Sequence, residues 1–90
     1  MLKLNASTQF RRDRKRCMKR GYEMSLLNAV VDMLIIASPL PPENKPHPLS
    51  GKWVEHFECH IQPDWLLIYR SEGENLYLDR TGTHADLFKE

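Results

Sequence analysis

Five of the chain's six prolines fall between Pro39 and Pro48, in the ten-residue segment PLPPENKPHP. A proline ring holds φ near one value and removes an amide donor, so neither a helix interior nor a central strand passes through such a run. The segment therefore predicts a rigid, extended loop. The residues before it are patterned for helices and those after it for strands. Neither side is long enough to bury a core alone, so the loop lies inside one domain spanning residues 1–90.

On the helical side, LKLN (residues 2–5) alternates apolar and polar and predicts a short first strand. Ser7 or Thr8 offers the N-cap for a helix over 8–20, TQFRRDRKRCMKR. Phe10, Cys17 and Met18 share one face of it at i, i+7 and i+8, and Gly21 is placed to stop it. A second helix is predicted over 23–38, EMSLLNAVVDMLIIAS, with Leu27, Val30, Val31, Leu34 and Ile35 as a wide apolar stripe and Asn28 and Asp32 opposite.

After Gly51 the period changes. KWVEHFECHI (52–61) alternates and is aromatic-rich, QPD reads as a turn, and WLLIYR (65–70) is nearly continuous in apolar residues, as a strand covered on both faces would be. SEGEN then makes a hairpin loop to LYLDRT (76–81). The expected class is α+β: a short N-terminal strand at a sheet edge, two helices, then a twisted antiparallel sheet, β-α-α-β-β-β. The closing stretch RTGTHADLF mixes ionisable residues with an apolar Leu87–Phe88 end, which suits a short docked tail. No internal repeat occurs.

Charge is unevenly distributed. Residues 1–20 carry eight Lys and Arg against the single acid Asp13, whereas residues 21–90 carry five against eleven acids. A basic face aimed at a polyanion such as nucleic acid is one meaning, and a solvated helix surface the other. No apolar run approaches the roughly 20 residues of a membrane helix. The N-terminus has no apolar core of a secretory signal, and two cysteines make no disulfide framework. A cytoplasmic protein with reduced thiols is expected.

Three histidines lie near predicted element ends: His47 in the proline loop, His60 at a strand end and His84 in the tail. Asp64 opens the central strand and Arg80 closes the last one. Within HFECH, His56 and His60 would stand roughly 13 Å apart on a strand rising about 3.3 Å per residue, too far to share an ion. No CxxC or HExxH occurs, and neither cysteine has a nucleophile's context. No metal or cofactor is expected. What remains is proton transfer by His and Asp with Arg as a stabilising cation, the inventory that metal-free RNA cleavage requires. Each residue also has an ordinary use. A lone histidine is more often a surface group, and Asp64 after a proline suits a turn. Trp65 and Phe88 suit a core, and Arg80 alternates with Leu76 and Leu78 onto an apolar face unless a bulge intervenes. His56 is placed in no site. The residues alone describe a small α+β domain facing nucleic acid.

The motifs HPLSGKW, ECHIQPDWLLIY and DRTGTHADLF, in this order, closely resemble the RelE/ParE superfamily of bacterial toxins, and specifically its YafQ-like branch. The resemblance is dense over residues 47–88; the first half agrees in layout and in its basic first helix. It implies two helices packed on a twisted antiparallel sheet, and the toxin half of a type II toxin–antitoxin module. It also implies a ribosome-dependent endoribonuclease that cleaves mRNA in the A site without metal. The implied site residues are His47, His60, Asp64, His84 and Phe88, with Trp65 and Arg80 at further positions of the cleft. His84 and His60 would form the main acid–base pair, with Asp64 as an alternative proton carrier or orienter. His47 and Arg80 would stabilise the transition state, and Trp65 and Phe88 would contact substrate. Arg11, Arg12, Lys15, Arg16 and Lys19 of the first helix would grip ribosomal RNA.

Two rivals remain open at this point. ParE-type relatives share the fold, bind DNA gyrase and lack the histidine set, and a third possibility is an inert module that only binds antitoxin as a co-repressor. The resemblance implies the same partner throughout, a small DNA-binding antitoxin through which operator DNA is reached, and no membrane.

Overall fold

The computed structural model describes residues 1–88. Strand β1 (Lys3–Ala6) leads into helices α1 (Thr8–Lys19) and α2 (Met24–Ile35). A 3₁₀ turn (Pro42–Asn44), the two-residue strand β2 (His47–Pro48) and a second 3₁₀ turn (Gly51–Trp53) follow. Strands β3 (Phe57–Gln62), β4 (Trp65–Glu72) and β5 (Asn75–Gly82) then form a meander, and α3 (His84–Phe88) ends the described chain. No helix among the described residues is long and apolar enough to cross a membrane.

The sheet order is β1-β5-β4-β3-β2. The α+β expectation holds, with β1 at an edge, but the sheet is mixed rather than wholly antiparallel: β1 runs parallel to β5, Lys3 opposite Asn75 and Ala6 opposite Leu78. The crossover through α1 and α2 lets β1 return alongside β5 in the same direction.

Local signals set the helix ends. Ser7, not Thr8, caps α1, its hydroxyl accepting from the Phe10 amide (2.9 Å) and donating to the Asp79 carbonyl (2.9 Å). Gly21 at φ +83 ends the helix, a left-handed conformation that favours glycine. Helix α2 stops at Ile35, three residues before the expected end. Ala37 turns left-handed there, its amide and that of Ser38 returning to the carbonyls of Leu34 and Met33. Ser38 precedes Pro39, which disfavours helical backbone in the residue before it.

Strand β4 is covered on both faces, as its composition indicated. Trp65, Leu67 and Tyr69 join Phe10, Cys17, Leu27, Val30, Val31, Leu76 and Leu78 in the core under α1 and α2. Leu66 and Ile68 point the other way, into a smaller cluster with Leu87, Leu49, Trp53 and Phe88. That second cluster corrects the expected strand over 52–61. Residues 51–56 curl instead, with Glu55 at φ +73, so that Trp53 closes over the outer face of β4 and β3 begins only at Phe57. The terminal tail is a short helix for the same reason: Leu87 and Phe88 dock on that face.

One buried carboxylate ties α1 to the sheet. Asp13, 1 % exposed, accepts from Gln9, Arg16, Arg80 Nε (2.7 Å), Arg80 Nη2 (3.2 Å) and the Thr81 amide (3.2 Å). The register of β4 with β5 shifts here: Ile68 pairs with Arg80 and Tyr69 with Leu78. This leaves Asp79 as the extra residue of a bulge.

Candidate active site

Four segments bring ionisable groups to one rim of the sheet. Pairing of β2 with β3 sets His47 opposite Glu58, and His47 Nε2 lies 3.2 Å from Glu58 Oε1. His60, two residues along β3 on the same face, has its Nε2 3.8 Å from that oxygen. From α3, the His84 ring sits 5.8 Å from that of His60, while His47 and His60 are 6.3 Å apart. Asp64, in the β3–β4 turn, accepts from His84 twice, through the backbone amide (3.0 Å) and the ring Nδ1 (2.6 Å).

Each ring is oriented by its second nitrogen. His47 Nδ1 faces the Lys45 carbonyl (2.7 Å) and His60 Nδ1 the Pro63 carbonyl (3.2 Å). Because carbonyls and ionised carboxylates only accept, Nδ1 is the donor in all three rings; Nε2 is the atom left for chemistry in His60 and His84, while that of His47 faces Glu58. The two hydrogen bonds from His84 hold the Asp64 carboxyl below the usual carboxylate range. It is ionised at neutral pH and suited to orienting His84 rather than to giving a proton.

Helix α3 is built to hold His84 in place. Thr83 and Asp86 cap each other: the Thr83 amide donates to Asp86 (2.9 Å), and the Asp86 amide donates to the Thr83 hydroxyl (3.1 Å). Arg20, the residue that caps the C-terminus of α1, grips the same carboxylate with both terminal nitrogens (2.6 and 3.0 Å). This drives the Asp86 carboxyl far below its ordinary range. Gly82, at φ +152, makes room, since a Cβ there would lie 2.9 Å from Asp86 Oδ2. The signature THAD was visible in the chain and would have disclosed this short helix.

Of the residues singled out from sequence, His47, His60, Asp64 and His84 converge. Phe88, half-buried on α3 four residues beyond His84, shares that helix's face with it. Two do not join them. Trp65 is 1 % exposed, donates to Thr81 Oγ1 (2.9 Å) and packs on Tyr22, so it belongs to the core and not to a substrate surface. Arg80 is held by Asp13 rather than turned to the histidines. Among the basic residues of α1, Arg11, Arg12, Lys15 and Lys19 are exposed. Arg16 differs, its guanidinium lying against Asp13 and Asp86. His56 stands apart, 3.0 Å from Asp79.

Glu58 is the residue that sequence reasoning missed. It is 5 % exposed beneath two histidines, yet nothing in FECHI distinguishes it until β2 is paired with β3. Glu58, His60 and His84 also offer three metal-donor atoms within 4.8 Å of one another. A small side-chain adjustment would bring them to the ~2.0–2.2 Å that zinc or copper needs from nitrogen and oxygen ligands. The sequence reading weighed only donors within one segment; these come from β3 and α3. The two thiols take no part: burial pushes the Cys59 thiol up to about 12 and raises that of Cys17.

The sequence profile described as bacterial toxin of type II toxin–antitoxin system, YafQ, matches residues 2–89. The mRNA interferase toxin YafQ of Escherichia coli K12 is 42 % identical over 83 residues, covering 91 % of this chain and 90 % of the relative. A copper-bound mutant toxin from Helicobacter pylori superposes with a TM-score of 0.94 at 41 % identity, over 98 % of this chain and all of the other. A chain of the E. coli DinJ–YafQ complex does so with 0.91 at 39 %, over 98 % and 99 %. The match over nearly the whole length, to the profile and to both folds, settles the assignment: the chain belongs to the YafQ family of bacterial toxins of type II toxin–antitoxin systems.

Proposed function

We propose that this toxin is an endoribonuclease that cleaves mRNA on the ribosome, in the cytoplasm, and is held inactive by a small DNA-binding antitoxin. The observation that carries the reading is the convergence of His47, Glu58, His60, Asp64 and His84 from four segments onto one open rim. The mRNA interferase activity named for the E. coli relative, and the DinJ partner of its complex, support it.

RNA cleavage by attack of the ribose 2′-OH needs a base for that hydroxyl, an acid for the departing 5′-oxygen and positive charge at the phosphorane. His84, its Nδ1–H donating a hydrogen bond to Asp64, has Nε2 free to accept the proton of the 2′-OH. His60, across a 5.8 Å ring separation, is placed to protonate the leaving oxygen. His47, held at one ring nitrogen by the Lys45 carbonyl and at the other by Glu58, is placed to stabilise the transition state. Phe88 offers an aromatic face for a base. With Arg80 bound to Asp13, its contribution is to the scaffold. Arg12, Lys15 and Lys19 lie on one stripe of α1 and suit the phosphates of ribosomal RNA. An open rim suits a message whose geometry the ribosome presents.

Primer extension on mRNA incubated with the purified protein, with and without programmed ribosomes, tests the reading. Cuts should appear only with ribosomes. Cuts in neither condition would sink the nuclease assignment.

The H. pylori relative is copper-bound, and the donor set here offers such an ion a place. An ion on Glu58, His60 and His84 would occupy the nitrogens that move protons. Added Zn²⁺ or Cu²⁺ is expected to suppress ribosome-dependent cleavage by at least about tenfold. A chelator selective for transition ions, sparing ribosomal Mg²⁺, should restore it. Full activity with either ion bound at these residues would exclude an acid–base role for them.

A further inference from the structure

The proline segment does more than separate the two halves of the chain. A groove of about 340 Å³ lies between its 3₁₀ turn and the β3–β4 turn. Glu43, Asn44 and Lys45 line one side, and His60, Ile61, Gln62 and Pro63 the other. The volume falls in the ~300–1,000 Å³ range of small-ligand sites. Two hydrogen bonds join this groove to the acid–base cluster. The Asn44 side-chain amide donates to the His60 carbonyl (2.7 Å), and the Lys45 carbonyl accepts from His47 Nδ1 (2.7 Å). His60 is thus a member of the cluster and a wall of the groove.

We propose that this groove is a base-reading subsite, which receives the nucleobase next to the cleaved phosphodiester and selects it through Glu43 and Lys45. The proposal rests on the endoribonuclease reading and adds to it the source of sequence preference.

Three features support that occupant. The first is continuity: a base in contact with the His60 ring is one nucleotide's reach from the bond on which His60 acts. The second is chemistry. Ile61 and Pro63 offer apolar surface to the face of a base, while the rim offers complementary polar groups to its edge. The Glu43 carboxylate accepts from an exocyclic amino group or a ring N–H. The Lys45 ammonium donates to a ring carbonyl or nitrogen, and the Gln62 amide can do either. Selective reading of single-stranded RNA works in this way, by splaying a base out and bonding its edge.

The third feature is rigidity. Pro41 and Pro42 enter the turn, Pro46 leaves it, and Lys45 itself is left-handed at φ +44. A loop restricted in this way loses little conformational freedom when it binds, so its polar groups can discriminate rather than merely attract.

The test is primer extension over a message of mixed codons on programmed ribosomes, comparing the native chain with Glu43→Ala and Lys45→Asn. Asparagine tolerates the left-handed backbone at position 45, so the Lys45 carbonyl stays on His47. Cut frequencies are compared within each lane, so that loss of folded protein cannot mimic a change of preference. The proposal expects the relative frequency of cuts beside different bases to change by at least about tenfold in one or both variants, the scale of a lost base-edge contact. Unchanged proportions overturn it, even if both variants are uniformly slower, because the turn then only supports His47 and His60. An absence of cuts by the native chain overturns the nuclease reading and this proposal with it, an outcome distinct from native cutting with unaltered preference.

Discussion

His84→Ala protein should cut ribosome-bound mRNA at least about a hundredfold more slowly than the native chain, the loss typical of removing a general acid or base. The fold should survive. The His84 side chain is 40 % exposed, and among the described residues it hydrogen-bonds to Asp64 alone. The backbone amide of residue 84 still donates to Asp64 in the variant, the Thr83–Asp86 cap is untouched, and Leu87 keeps α3 docked. A circular-dichroism melt close to that of the native chain, together with the collapse in cutting, separates chemistry from stability. Asp64→Asn sharpens the assignment. It keeps a side chain at the turn but removes the charge that orients the ring, and Asp64 is 65 % exposed, so solvent can replace part of it. Its loss should be smaller than that of His84→Ala. Cutting by His84→Ala at the native rate would remove the ring from the mechanism and leave His60 and His47 to carry it.

Asp13→Ala should be the most destabilising single change at a polar position of the fold. The carboxylate has no solvent exposure, and five donor atoms or groups converge on it from α1 and β5. Its removal leaves the Thr81 amide without that acceptor and the Arg80 guanidinium, 22 % exposed, without its partner. Breaking a buried pair from one side costs about 3–5 kcal/mol. For a domain of this size each kcal/mol lowers Tm by roughly 4–8 °C, so a fall of at least about 12 °C is expected in a thermal melt. Asp13→Leu combined with Arg80→Met should recover much of this, since replacing both partners by apolar groups removes the stranded charge. A fall of less than about 4 °C in Asp13→Ala would show that α1 is held by its apolar face alone. The double variant also bears on Arg80: cutting by folded Asp13→Leu/Arg80→Met protein at the native rate supports a role for Arg80 in the scaffold and not at the phosphate.

Much of the candidate site could be read in the chain because its members sit at places the sequence marks. His47 lies among prolines, Asp64 follows Pro63 in a turn, and His84 opens a short capped helix; element ends are where a rigid scaffold presents functional groups. Glu58 could not be read in this way. It lies inside a strand, and its alternation with Cys59 and His60 is that of any half-buried strand. Its meaning depends on which residue β2 sets beside it. Trp65 and Arg80 differ from these. Each occupies a position that the family resemblance assigns to the cleft, and each is drawn away by a partner distant in sequence, Thr81 for the indole and Asp13 for the guanidinium.

What the sequence determined by itself was everything governed by short-range rules. The prolines divide helix from strand, Ser7 and Gly21 bound α1, and the unbroken apolar run of WLLIYR demands cover on both faces of β4. Those rules act within about one turn or one hairpin. Only the tertiary structure decided the pairings between distant segments: β1 parallel to β5, β2 on β3, Trp53 curled over Leu66 and Ile68, and Asp13 under Arg80. Such pairings close long loops, and their entropy cost is met by the summed burial of the whole core rather than by any local pattern. The acid–base cluster belongs to this second class, because its histidines meet only when three strands and a helix have packed.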